Sequence, residues 1–254
     1  MKEILIALKL LLVFTLRYFL IAGLAFSTFY VLFSKKMELR KIQKGNASHK
    51  DFWREIWYSM QTNLVFVLTA LLILFGPIKE HTKIYENMND YPLWYLPLSL
   101  VLALIIHDSY FYWMHRTLHK SWLYKNFHRV HHLSTNPSPW ASFSFHLGEA
   151  FLESLIVLLV VFLIPIHPWM LFGFTFASLI INVYGHLGYE IAPSWYRRSF
   201  LFEIFNSSVH HNMHHQYFEG NYGLYFRIWD RLMGTENPNY LQEYNKIQKQ
   251  RFEN

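Results

Sequence analysis

Cysteine is absent from the chain. That excludes disulfides, thiolate zinc sites, iron–sulfur clusters and cysteine nucleophiles. Charge is sparse: 16% of residues are charged, against 53% hydrophobic and 19% aromatic. No Ser/Gly/Pro-rich run and no long block of one charge divides the 254 residues, and no internal repeat shows beyond a recurring histidine pattern. The zinc-hydrolase signature H-E-x-x-H is missing too, since in HRTLH (115–119) the residue after the first histidine is Arg116. Histidine, by contrast, is abundant at 15 copies. In a cysteine-free chain, imidazole is the obvious metal ligand.

Long apolar runs are also present. ILIALKLLLVFTLRYFLIAGLAFSTFYVLF (4–33) exceeds the roughly 20 residues that span a bilayer, although Lys9 and Arg17 interrupt it. Its upper half is the expected span, retained because no small-residue cleavage site follows. NLVFVLTALLILFGPI (63–78) ends at Gly76-Pro77, and WYLPLSLVLALIIHDSYFYWMHR (94–116) starts apolar and turns aromatic and histidine-rich. FLESLIVLLVVFLIPI (151–166) and WMLFGFTFASLIINVYGH (169–186) flank His167-Pro168 and read as a tight membrane hairpin. The expectation is an all-α integral membrane protein with four or five transmembrane helices.

Seven Lys/Arg fall in loop 34–61 and two in loop 79–93. The positive-inside rule places the first loop in the cytoplasm, and counting spans returns Arg116, Lys120, Lys125, Arg129, Arg197 and Arg198 to that side. The net charge of +6 then collects on one face, where anionic lipid headgroups suit it. No motif supports nucleic-acid binding.

Most histidines cluster on that same face. His115 and His119 form an H-x3-H pair, which shares one face of a helix. His128, His131 and His132 form H-x2-H-H, in which the last two rings diverge by about 100° and can turn to different ions. His211, His214 and His215 repeat the pattern within HHNMHHQYF (210–218); aligning the two motifs leaves His210 out. His186 closes the fifth run, with Glu190 one turn on. Eight or nine nitrogens are too many for one ion of coordination four to six, so two metals are implied. Imidazole suits iron as well as zinc or copper, and two irons beside the bilayer interior make a sensible device for activating dioxygen against an unactivated C–H bond.

These residues resemble a known family. HDSYFYWMHRTLHKSWLYKNFHRVHHLSTNPSPW (107–140), NVYGHLGYE (182–190) and HHNMHHQYFEGNYGLYFRIWDRLMGT (210–235) are similar, in this order, to the signatures of the fatty acid hydroxylase superfamily, the sterol desaturase-like integral membrane di-iron oxygenases. The resemblance covers roughly 94–236. It implies hydroxylation or desaturation of a lipid such as a fatty acyl or sterol-like chain. It also implies dioxygen, two iron ions (with zinc as a possible substitute), and an electron donor that is a small redox protein or reductase. By position the ligands, and so the catalytic residues, would be His115, His119, His128, His131, His132, His186, His211, His214 and His215. Asp108 and Asp230 match acids expected to orient ligand rings. Glu190 stands where the family places a histidine or an acid. His146, in SFHLGE, lies in a segment where a histidine and an acid recur beside the site. His107 is expected to line the pocket or form a hydrogen bond.

The resulting picture is one structural domain: N-terminal membrane helices and a basic loop (1–93), a catalytic region (94–236) and a C-terminal tail (237–254), with a histidine-rich helical di-metal cap on the cytoplasmic side. Hydroxylation is the broader activity of the resemblance; no sequence feature separates it from desaturation. Two rival readings are a membrane zinc-dependent lipid hydrolase and a non-enzymatic histidine-rich metal transporter.

Overall fold

Helices form where the long apolar runs and their end signals coincide. The computed structural model describes residues 2–45 and 47–252. α1 (Lys2–Phe26) runs on into a π-helical turn, Ser27–Leu32. Leu8, Leu12, Leu16, Leu20 and Leu24 lie on one face of α1, and each is more than half exposed. A helix in water would bury such a row; hydrocarbon is the solvent that tolerates it.

α2 (His49–Phe75) starts at a capping box. The Ser48 hydroxyl accepts from the Asp51 N–H at 3.3 Å, and Asp51 Oδ2 accepts from the Ser48 N–H at 2.9 Å. α3 (Tyr95–Leu118) ends in the first histidine pair. A further π-helical turn, Tyr124–His128, leads into the single turn α4 (Arg129–His132). α5 (Leu147–Leu163) and α6 (Pro168–Gly185) are joined by a four-residue link in which Ile166 pairs with Ile84. α7 (Ser208–Tyr217) carries the third histidine motif, and α8 (Tyr240–Phe252) follows it.

Among the described residues, four helices are long and apolar enough to cross a membrane: Glu3–Leu32, His49–Phe75, Tyr95–Leu118 and Pro168–Gly185. α5, the run expected as a further span, has 17 residues; at about 1.5 Å per residue it falls short of a full bilayer core. The described residues form no strand, only three isolated bridges. The fold is all-α, as the apolar runs require.

Two apolar clusters hold the helices together. Tyr18 and Ala22 of α1 pack with Phe143, Phe145, Ala150, Leu179 and Val183; Ala103 of α3 packs with Ile156, Val160, Val161, Ile166 and Phe174. The segment expected as a tail folds back instead of trailing away. Tyr240, Tyr244 and Ile247 of α8 are buried against Phe202, Val209 and Met213. Residues 253 and 254 lie outside the described residues.

The C-terminal ends of α1, α3 and α6 meet the N-terminal ends of α2 and α5. The basic loop after α1 folds over this end, where Gln43 Nε2 donates to the Thr135 carbonyl at 2.8 Å and to Asn212 Oδ1 at 2.9 Å.

Candidate metal centre

Nine histidines converge beneath that loop. His115, His119, His128, His132 and His214 form one group and His131, His186, His211 and His215 another, with the ligand-capable atoms of each group within 4.8 Å of one another. In the first group the Nε2 atoms of His115 and His132 each lie 3.0 Å from that of His128. His214 Nε2 stands 3.1 Å from those of His119 and His132. In the second, His186 Nε2 is 3.1 Å from those of His211 and His215 and 3.3 Å from that of His131. Two nitrogens bound to one ion at about 2.1 Å and at right angles stand about 3 Å apart.

The rings' other nitrogens fix the tautomers. His115 Nδ1–H donates to the Tyr222 carbonyl at 2.9 Å, and His214 Nδ1–H to the Gly220 carbonyl at 2.7 Å. His128 Nδ1–H donates to Glu149 Oε1 at 2.6 Å, and His186 Nδ1–H to the Asn182 carbonyl at 2.8 Å. Each of these rings then presents a bare lone pair from Nε2. His115 and His128 point such lone pairs at each other across 3.0 Å. No hydrogen bond can form between two acceptors, and a shared cation satisfies both. The donor set therefore fits a metal ion in each group. Burial also pushes the titration of His186 down to about 4, and that of His119 down to about 2 with help from His115. These rings are neutral, as ligands must be, at pH 7.

Local helix geometry explains how consecutive histidines divide. On the stretch 128–132, His128 and His132 share a face and join the first group, while His131 turns to the second. On α7, His211 and His215 share a face and join the second group, while His214 turns to the first. His210 belongs to neither. It is fully buried against Tyr240 and stands 3.9 Å from Asp230.

The turn after α7 delivers the carbonyl acceptors. Phe218, Gly220 and Asn221 all adopt left-handed backbone conformations. At Gly220 a Cβ would meet the Thr235 carbonyl at 2.5 Å, so the tight turn that aims its own carbonyl at His214 needs glycine. Asp230 accepts from the N–H groups of Tyr222 at 2.9 Å and Gly223 at 2.7 Å. Asp108 Oδ1 accepts from the N–H groups of Tyr225 at 2.7 Å and Phe226 at 3.1 Å. Both acids thus hold the backbone that carries the acceptors, and neither touches a ring of the two groups.

His146 caps α5, its Nδ1 accepting from the Gly148 N–H at 3.1 Å, and stays outside both groups. Glu190 also lies outside them. Its Oε1 accepts from the Tyr184 hydroxyl at 3.0 Å and the Ala192 N–H at 2.8 Å. Glu149 was not foreseen as a partner, although it is the acid of SFHLGE. Its place in the first turn of α5 was the available signal.

A cavity of about 540 Å³ runs between α1, α2, α5 and α6 toward this centre, though none of the nine histidines lines it. Phe145 and Asn182 line its inner end. The Phe145 ring lies 4.9 Å from that of His131, and the Asn182 carbonyl holds His186. His107 lines the cavity as well, and its Nδ1 shares a hydrogen bond with the Tyr225 hydroxyl at 2.7 Å.

Comparison with known proteins matches residues 100–235 to the fatty acid hydroxylase family. The chain belongs to that family. All nine converging histidines lie inside the fatty acid hydroxylase match, and α1 and α2 lie outside it. Among curated relatives, the human lathosterol oxidase is 33% identical over 189 residues, 73% of this chain and 61% of the relative. A Delta(7)-sterol 5(6)-desaturase of Gibberella zeae is 30% identical over 209 residues, 82% of this chain and 62% of the relative. Another, of Schizosaccharomyces pombe, is 31% identical over 227 residues, 87% and 63% respectively. The chain thus spans about three fifths of the length of these relatives. No solved structure matches it significantly.

Proposed function

We propose that the protein is a membrane-bound di-iron oxidoreductase that hydroxylates or desaturates an unactivated C–H bond of a lipid. It would use dioxygen and electrons from a separate redox protein or reductase. One observation carries this reading: nine imidazole nitrogens gather in two adjacent groups behind Phe145 and Asn182, which line a largely apolar cavity. His115, His119, His128, His132 and His214 would hold one ion, and His131, His186, His211 and His215 the other. When bound, two irons supply the activation of dioxygen that an unactivated C–H bond demands. Zinc could fill the same nitrogen sites without that chemistry.

The rest of the work falls to the chain. Glu149 and the carbonyls of Asn182, Gly220 and Tyr222 keep Nδ1 protonated and Nε2 free. Apolar walls exclude water and lead the substrate chain toward Phe145 and Asn182, which pack on His131 and hold His186. The named relatives, a lathosterol oxidase and sterol desaturases, support a lipid substrate of sterol-like or acyl character. The metal end is assigned to the cytoplasm because the basic loop after α1 covers it.

Lipid profiling of cells expressing wild type or His131→Ala, with and without oxygen, tests the activity. An oxygenated or desaturated species is expected only with wild type in air; the same change with His131→Ala would sink the reading. A second expected outcome concerns the two neighbouring histidines of α7. His210→Ala keeps both metals and lowers only the melting temperature, because it empties a buried site; His211→Ala loses metal. Metal analysis of the two purified variants decides this.

A further inference from the structure

Arg17 sits at the middle of α1 inside a membrane-spanning segment, yet it does not face lipid. Its side chain is 93% buried, at 7% relative exposure, and it lines the cavity. Its neighbours are few and neutral. One Nη donates to the Thr175 hydroxyl at 2.8 Å, and the guanidinium lies 5.0 Å from the centre of the Phe14 ring. Nε is buried without a partner. Among the described residues no carboxylate forms an ion pair with it. An unpaired guanidinium at this depth is costly to keep and marks a place where an anion belongs.

We propose that Arg17, with Thr175, docks the anionic head of a single-chain lipid, a carboxylate or phosphate monoester, and so fixes which part of the chain reaches the metal centre. The inference rests on the oxidoreductase reading for its consequence, but the docking itself needs neither metal nor oxygen. A planar guanidinium with free donors is suited to an oxyanion. The cavity volume of about 540 Å³ lies in the range of one small ligand, too little for a two-chain phospholipid.

Direction follows from distance along α6. Thr175 stands about 16 Å along α6 from His186. A head held at Arg17 therefore presents carbons remote from it to the histidines, past Phe66, Phe143 and Leu224. Arg17 lies outside the fatty acid hydroxylase match, so head-group choice would belong to this chain's own N-terminal helix.

The test is equilibrium binding to the full-length purified protein, comparing palmitate and hexadecyl phosphate with hexadecanol. At least one anion is expected to bind tenfold or more tighter than hexadecanol, and the tighter one identifies the head group. Arg17→Gln should bring that ratio close to one while hexadecanol binding and metal content stay unchanged. Arg17→Lys should retain most of the preference, and Thr175→Val should lower it. Equal binding of all three probes by wild type overturns the proposal, even if Arg17→Gln does not fold. So does a preference that survives in folded Arg17→Gln. Loss of lipid oxidation with an intact anion preference would instead sink the oxidoreductase reading alone.

Discussion

His186→Ala is expected to abolish lipid oxidation and to leave one metal per chain. His186 is the hub of the four-membered group: its Nε2 stands within 3.3 Å of those of His131, His211 and His215. Its removal leaves three nitrogens, and three imidazoles hold an ion far less well than four. The ring is also pinned from behind by the Asn182 carbonyl, which holds its Nε2 toward the group. The five-membered group has one more ring, and its His119 is the least buried of the nine. His119→Ala should therefore lose less metal than His186→Ala. Metal analysis beside oxygen-dependent turnover in membranes separates the two variants. Equal metal loss in both would show that the groups do not bind independently.

Glu149→Ala is expected to lower metal retention and turnover by roughly 10–100-fold, the usual cost of losing an outer partner of a ligating histidine. The His128 ring is buried and its Nδ1 meets Glu149 at 2.6 Å. Without that acceptor the proton is free to move to Nε2, which removes the lone pair shared with His115 and His132. Glu149→Gln should be milder, because an amide oxygen still accepts from Nδ1–H. The measurement is metal occupancy during dialysis against a chelator. Alanine and glutamine variants that lose metal equally fast would assign Glu149 a purely electrostatic part.

Much of the histidine arrangement was legible from spacing alone. H-x3-H and H-x2-H-H translate directly into helix faces, and the division of His131 from His132, and of His214 from His215, follows from the same period. The partners behind the rings were not legible, because most are backbone carbonyls. Gly220, Tyr222 and Asn182 act through peptide oxygens whose direction depends on turns and on packing distant in sequence. Asp108 and Asp230 suggest ring partners because they are acids near histidines; instead Asp108 ties Tyr225 and Phe226 to α3, and Asp230 ties Tyr222 and Gly223 to the short helix Ile228–Leu232. The expected tail 237–254 holds α8, whose Tyr240, Tyr244 and Ile247 recur at helical spacing and are all buried. Arg17 was seen only as an interruption of an apolar run. Hydropathy records that a charge is present, and only the fold reveals that it faces a cavity.

The roles of Glu149 and Glu190 bear on the hydrolase alternative. Glu149 Oε1 already accepts from His128, and Glu190 Oε1 from Tyr184 and Ala192, so both serve as structural acceptors beside the two groups. A transporter would string ligands along a path through the bilayer, whereas these gather at one end of the bundle.

Each of the two histidine groups should hold a redox-active ion. Elemental analysis of the full-length protein, purified without added metal, tests it most directly. About two iron ions per chain are expected, with one lost in His186→Ala. Folded protein that carries one ion or fewer, or that is fully active with zinc alone and no oxygen, would contradict it.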